Sequence, residues 1–336
     1  MKRLLITIAS LVFTLGVSKA QDVHLSQFFM NDLNLNPAYT GMYDGDLRLT
    51  GNYRNQWAQI GNEPIETMMV DVEKKFLFHS RSIDVGLQLV RDQFGGFNTN
   101  LNKALLSVAY AIKLSDKDDL RVGIQGGVLH RQVDMDRFIF SNQWVREQGV
   151  FNQALPNFEQ LQDQSIAPDL NAGISWTSRM KKIKPQIGLA VNHINQPRDS
   201  YVVDAEKIQM RYVANLELDY YLSSAITLEP KIFATTTTQT KDVIMGTNIR
   251  YNFPTSYPLR IYVGGFNRGN FSEQDNDALI GTIGGRFKQW EGGVSYDYNT
   301  SLLSNGFDQK SSFELAIRYT TPSNKSSYVS VPCDRY

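Results

Sequence analysis

Apolar and polar side chains alternate residue by residue through long stretches of this chain, and that rhythm limits what it can become. Leu120, Val122, Ile124 and Val128 fall on one face, while Arg121, Gly123, Gln125 and Gly127 fall on the other. Met210, Tyr212, Ala214, Leu216, Leu218, Tyr220 and Leu222 alternate in the same way with Arg211, Val213, Asn215, Glu217 and Asp219. Trp290, Val294, Tyr296 and Tyr298 alternate with Glu291, Ser295, Asp297 and Asn299. Side chains on a strand change face at every residue, so each stretch makes a wall with one apolar and one polar side. About fourteen such segments are present, near 46–57, 65–78, 82–94, 101–114, 119–132, 167–179, 184–195, 207–222, 225–238, 241–253, 258–268, 277–287, 289–300 and 309–320. Most are longer than the roughly five or six residues of a globular strand. They suffice for the about 9–11 residues that a tilted strand needs to cross a bilayer.

The connections sharpen this. His79-Ser80-Arg81, Ser115 to Asp118, Met180 to Ile183, Ser223-Ser224, Thr255-Ser256-Tyr257 and Lys288 are short; 133–166, 196–206, 269–276 and 301–308 are longer and more polar. Short turns on one side and long loops on the other, with an even strand count, describe an outer-membrane barrel with both termini on the periplasmic, short-turn side. Aromatics at segment ends, such as Trp57, Phe76, Tyr212, Tyr251, Trp290 and Tyr319, suit the two interfacial girdles. The competing reading is a soluble β-sandwich or propeller; no repeat of 40–50 residues supports the propeller. The expected fold is therefore all-β, an antiparallel barrel of about fourteen strands spanning 46–321. Its lumen would receive Arg48, Arg54, Arg121, Arg211, Glu217, Asp219, Glu229, Lys231, Arg250, Arg286, Glu291, Asp297, Glu314 and Arg318, charges able to pair across strands and brace the interior. The mean hydropathy of −0.32 suggests a soluble globule, but lumen and loops together outweigh a single lipid-facing stripe.

Residues 1–20 read as a cleaved secretory signal: Lys2 and Arg3, the apolar run Leu4 to Val17, then Ser18-Lys19-Ala20. The run falls short of the ~20 residues of a spanning helix, which disfavours an anchor. Gln21 follows rather than Cys, so no lipid acceptor is expected there. Basic and acidic side chains number 34 each, without the basic excess typical of nucleic-acid binders. Cys333 is the single Cys, so no intrachain disulfide and no Cys-based metal cluster is possible. His24, His79, His130 and His193 share no metal-ligand spacing with Asp or Glu. Gly95-Gly96 and Gly126-Gly127 open no helix and so make no phosphate loop. Catalysis, metal and cofactor are accordingly not expected.

Ahead of the first segment lies an apolar lead, residues 21–45, punctuated as turns at Asn36-Pro37 and Thr40-Gly41. It is too apolar to hang free, and is expected to plug or line the periplasmic mouth or to dock on a partner; Phe28, Phe29, Leu35, Asn36 and Pro37 are the candidate docking residues. The stretches "QDVHLSQFFMNDLNLNPAYTG" (21–41) and "GDLRLTGNYRNQW" (45–57) resemble the PorP/SprF family of type IX secretion system membrane proteins of Bacteroidetes. Ser26-Gln27-Phe28, Leu35-Asn36-Pro37-Ala38, Thr40-Gly41 and Asn52-Tyr53-Arg54-Asn55-Gln56-Trp57 carry the resemblance. Beyond residue 57 it is general.

The resemblance implies a non-enzymatic outer-membrane barrel that supports secretion or surface display of cargo with a C-terminal sorting domain, such as gliding adhesins. It implies outer-membrane lipid, other type IX components (among them a periplasmic lipoprotein or peptidoglycan-linked protein) and a large secreted adhesin as partners, with no nucleic acid. The alternative is an outer-membrane transport channel for small or hydrophobic solutes. Residues 322–336 form a C-terminal periplasmic tail, expected to lie beside the lead and to offer a docking surface with it.

Overall fold

The computed structural model describes residues 23–56, 64–78, 81–94, 99–135, 138–152, 154–155, 162–198, 207–238, 240–254, 258–270, 276–300 and 311–323. The expected signal sequence, Trp57, His79, Gly95-Gly96 and most of the tail, Cys333 included, lie outside the described residues.

Fourteen antiparallel strands close into one barrel. They are β1 (Leu47–Gln56), β2 (Ile65–Phe78), β3 (Arg81–Phe94), β4 (Thr99–Lys113), β5 (Asp118–Val133), β8 (Gln164–Ser178), β9 (Ile183–Asn192), β10 (Arg211–Tyr221), β11 (Ile226–Thr236), β12 (Lys241–Asn252), β13 (Leu259–Gly269), β14 (Asn276–Phe287), β15 (Trp290–Asn299) and β16 (Ser312–Thr320). β6 (Trp144–Val145) and β7 (Val150–Phe151) form a separate hairpin in the connection between β5 and β8. Each barrel strand pairs with its neighbour in the chain, and β1 pairs with β16 from Arg48↔Thr320 to Gln56↔Ser312, leaving no free edge.

The burial pattern is inverted relative to a soluble protein. Outward positions expose large apolar side chains, with Ile124 at 66% and Ile283 at 63%, while inward Ser107, Asp84 and Glu314 are fully covered. The outward stripe is what a hydrocarbon layer would solvate, since in lipid only closed barrels and helices satisfy every backbone group. Trp290 and Tyr319 meet at 4.7 Å between ring centroids, and Tyr251 and Phe253 at 4.8 Å, all near the short-turn end, in keeping with an aromatic girdle.

Several strand ends differ from the alternation, among them β8, which begins at Gln164 rather than 167, and β16, which begins at Ser312 rather than 309. β9 stops at Asn192 because His193 takes a left-handed backbone, φ 56°, a conformation that cannot continue a strand. β10 begins at Arg211 rather than 207; Lys207 makes only an isolated bridge with Arg198. The β6–β7 hairpin, with Gly149 at φ 62° in its turn and Trp144 packed 4.8 Å from Phe151, lies in a stretch without strand periodicity.

Residues 23–46 are folded in the lumen, where most of their side chains are buried. This lead makes a 3-10 turn at Phe28–Met30, one helical turn at Asp32–Leu35 and a second 3-10 turn at Pro37–Tyr39. The Asn31 side chain caps the Asn34 N–H at 3.0 Å, and the Asn36 side chain caps the Ala38 N–H at 2.8 Å with Pro37 opening the turn.

Replacing Ile124 by Arg is expected to destabilise the barrel in a bilayer by about 2–4 kcal/mol, and the same change at Met180, in a short turn, by about 0–1 kcal/mol. Denaturant titration in liposomes measures both; equal costs would mean that Ile124 does not face hydrocarbon.

Candidate functional site in the barrel lumen

The lead runs the length of the lumen. Ser26 lies among Arg54, Arg268, Asp297 and Glu314, residues near the long-loop ends of β1, β13, β15 and β16. Gly45 lies against Thr320 and Thr321, at the opposite, short-turn end. The segment therefore enters from the long-loop half and leaves at the short-turn mouth, rather than lining the periplasmic mouth alone.

Four groups of contacts hold it, beginning with a charge cluster around Ser26. The Ser26 hydroxyl donates to Asp297 at 2.6 Å and accepts from the Arg54 and Arg268 guanidiniums. Arg54 also pairs with Asp297 at 3.0 Å and Glu314 at 3.1 Å, and Arg268 with Asp297 at 3.1 Å. Glu314 accepts the Ser26 N–H at 2.8 Å and the Gln27 N–H at 3.0 Å. Buried charges persist only when paired and hydrogen-bonded; here two cations face two anions through one serine.

Aromatic packing follows. Phe28 stacks on Phe233 at 5.4 Å, and Phe29 on Phe266 at 5.7 Å with Tyr262 edge-on at 6.2 Å. Met30, Leu35 and Tyr39 belong to the same cluster, together with Val213, Ile244, Ile280 and Ala316 of the wall. Lys231 sits 5.0 Å from the Phe29 ring while pairing with Glu217 at 2.6 Å.

The third group is a relay through the helical turn. Asp32 pairs with Arg48 at 2.6 Å and Arg318 at 3.5 Å; Arg48 continues to Glu73 at 2.6 Å, and Glu73 accepts the Gly41 N–H at 2.8 Å. Asp32 thus faces two guanidiniums, those of Arg48 and Arg318, inside the lumen.

The fourth is a close approach of backbone to wall. Asn36 donates to the Ile174 and Leu189 carbonyls at 3.2 and 3.1 Å. Arg121 donates to the Ala38 carbonyl at 3.0 Å and to Thr40 O and Asp84. The turn fits because the paired residues Gly123 and Gly173 lack side chains: a Cβ at Gly123 would lie 2.3 Å from Pro37 O, and one at Gly173 1.9 Å from Asn36 Oδ1.

All five candidate docking residues, Phe28, Phe29, Leu35, Asn36 and Pro37, are buried inside the barrel. They face its wall, so a partner reaches them only if the segment leaves the lumen. Within the first-strand motif, Asn52 and Arg54 point inward, Asn52 accepting from Asn31 at 2.9 Å. Tyr53 donates its hydroxyl to Glu66 at 2.8 Å, Asn55 lies close by, and Gln56 closes the strand half-buried. Ser26 and Arg54, from the two stretches that carry the family resemblance, thus touch one another. Asp32, Glu73, Asp84 and Arg268 were not singled out by sequence. The available signal was the apolar intrusion on inward positions at Val213, Phe233, Ile244, Phe266 and Ile280, which marks where something apolar must sit. Among the described residues no three His, Cys, Asp or Glu side chains are grouped to hold a metal ion.

This geometry defines a plugged outer-membrane β-barrel. The sequence profile described as type IX secretion system membrane protein PorP/SprF matches residues 17–319. The chain belongs to that family. No curated protein matches it. Among solved structures, the toluene transporter TodX of Pseudomonas putida is similar at 10% identity and a TM-score of 0.53, over 86% of this chain and 92% of TodX. CdiB from Acinetobacter baumannii is 8% identical with a TM-score of 0.48 over 82% of this chain, which spans 60% of CdiB. At such identity the TodX likeness shows the fold alone.

Arg54→Ala leaves Asp297 and Glu314 short of a buried partner and is expected to cost about 3–5 kcal/mol in denaturant titration of the solubilised barrel. Arg54→Lys, which keeps the charge but loses the fork, should recover only part. Gly173→Leu should push the turn at 36–39 off the wall and raise the ion permeability of proteoliposomes, with the barrel still folded; unchanged permeability would mean that the turn tolerates displacement without opening a path.

Proposed function

We propose that this protein acts as a sealed, non-enzymatic component of the type IX secretion system in the outer membrane. It supports export or surface display of cargo that carries a C-terminal sorting domain, gliding adhesins among them, by binding other proteins rather than by conducting solutes. Family membership supports the pathway. The observation that carries the non-conducting part is the lead itself: Leu25, Phe28, Met30, Leu33, Leu35, Ala38 and Tyr39 are each at most 3% exposed inside the lumen. A channel for small solutes would need a passage along that path. Partners in the periplasm, including a lipoprotein or a peptidoglycan-linked protein, would approach the short-turn end, and the secreted adhesin the long-loop end.

Two measurements test this. In planar bilayers the intact protein is expected to show no stepwise conductance, and a variant lacking residues 23–45 to show it. Pull-down of the tagged protein from detergent-solubilised outer membranes is expected to recover secretion components or a surface adhesin. Conductance by the intact protein, with no such component recovered, would favour the transport reading.

A further inference from the structure

The wall grips the lead by its main chain as well as by its side chains. Glu314 takes two consecutive N–H groups, of Ser26 and Gln27. Glu73 takes the N–H of Gly41, and Arg121 donates to the carbonyls of Ala38 and Thr40. Glu314, Glu73 and Arg121 are all buried. Every polypeptide carries those backbone groups, so these contacts read chain direction and spacing rather than side-chain identity. Identity enters through side chains: Ser26 among Arg54, Arg268 and Asp297, the aromatic pocket that receives Phe28 and Phe29, the Arg48–Arg318 pair that receives Asp32, and Asn36 on the Ile174 and Leu189 carbonyls.

The lead is tied to the barrel at its C-terminal end, where Asp44 is exposed just before β1. The chain's single Cys, Cys333, is not in the lead, so no disulfide fixes it. We propose that the lumen is a polypeptide-binding site and the lead its tethered resident ligand. The replacing ligand is a segment of a partner protein with two adjacent aromatic side chains and an acidic side chain three residues after the second, as in Phe28-Phe29-x-x-Asp32. A short tether holds its ligand at an effective concentration of about millimolar order. A free segment therefore competes poorly, whereas one carried by a partner already docked on the barrel competes on equal terms. This inference rests on the lumen contacts alone, so it stands or falls separately from the secretion reading.

The test uses the full chain with a protease site inserted between Asp44 and Gly45. After cleavage in detergent, a fluorescent peptide of residues 21–43 is expected to bind saturably and to displace the cut lead, read by anisotropy and native mass spectrometry. Peptide with Phe28→Ala and Phe29→Ala should bind about a hundredfold more weakly, and Glu314→Gln in the barrel should weaken binding roughly tenfold or more. The uncut protein should bind at least tenfold more weakly than the cut one. No binding to the cut protein, or equal binding of a scrambled peptide, overturns the proposal. If the insertion prevents folding, the variant Ser26→Cys with Cys333→Ser replaces it: peptide 21–43 at a concentration above the roughly millimolar effective concentration of the tethered lead must accelerate maleimide labelling at position 26, and an unchanged rate at that concentration overturns the proposal.

Discussion

Lipid offers the backbone no hydrogen-bond partners, and from that constraint the rest of this protein follows. Each strand has to find its partners sideways, so the sheet must close, and here it closes by pairing β1 with β16. Closure forces the period-two alternation, because one face meets hydrocarbon and the other an enclosed space. It also creates a second problem: fourteen strands leave an interior that has to be filled by water or by protein. The chain fills it with its own N-terminal lead, and the inward charges become brackets for that segment.

The materials chosen for the bracket are informative. An apolar filling would suffice for cohesion, yet the lead is held by Arg54, Arg268, Asp297 and Glu314 at one end and Arg48, Glu73, Arg121 and Asp84 at the other. Ion pairs buried in this way gain little net stability, because desolvation offsets their attraction. They do penalise misplacement severely, since a lead shifted by one residue would leave several charges unpartnered. The aromatic cluster around Phe28 and Phe29 supplies the burial, and the charges fix the register. Gly123 and Gly173 set how closely the turn at Pro37 can approach the wall.

Much of the architecture is legible in the sequence and most of the site is not, for one physical reason. Strand identity is local: β2 and β14 can be bounded to within a residue because alternation reports each residue's own face. Strand ends are less local, as His193 shows, where a left-handed backbone stops β9 early. The lead's turns at Asn36-Pro37 are legible from composition, but its place in the lumen is not. Its partners lie up to 288 residues away in sequence, Ser26 with Glu314 being the most distant, and no periodicity links them. Nothing in the sequence around Asp32 marks its partners, and only the geometry pairs it with Arg48 and Arg318. The hairpin of β6 and β7 is illegible for another reason: strands of two residues hold a single period of the alternation, too little for it to repeat.

The Ser26 cluster draws on β1, β13, β15 and β16, the first strand of the wall and three of its last four. A chain made from its N-terminus carries Ser26 and Arg54 long before Asp297 and Glu314 exist. The pocket for the lead is therefore unfinished until the final hairpin arrives, and the strand that seals the wall also finishes the pocket. The lead's first anchor and the closing seam thus share two strands, β1 and β16, and the register that pairs Arg54 with Glu314 across the seam is the one that presents both to Ser26.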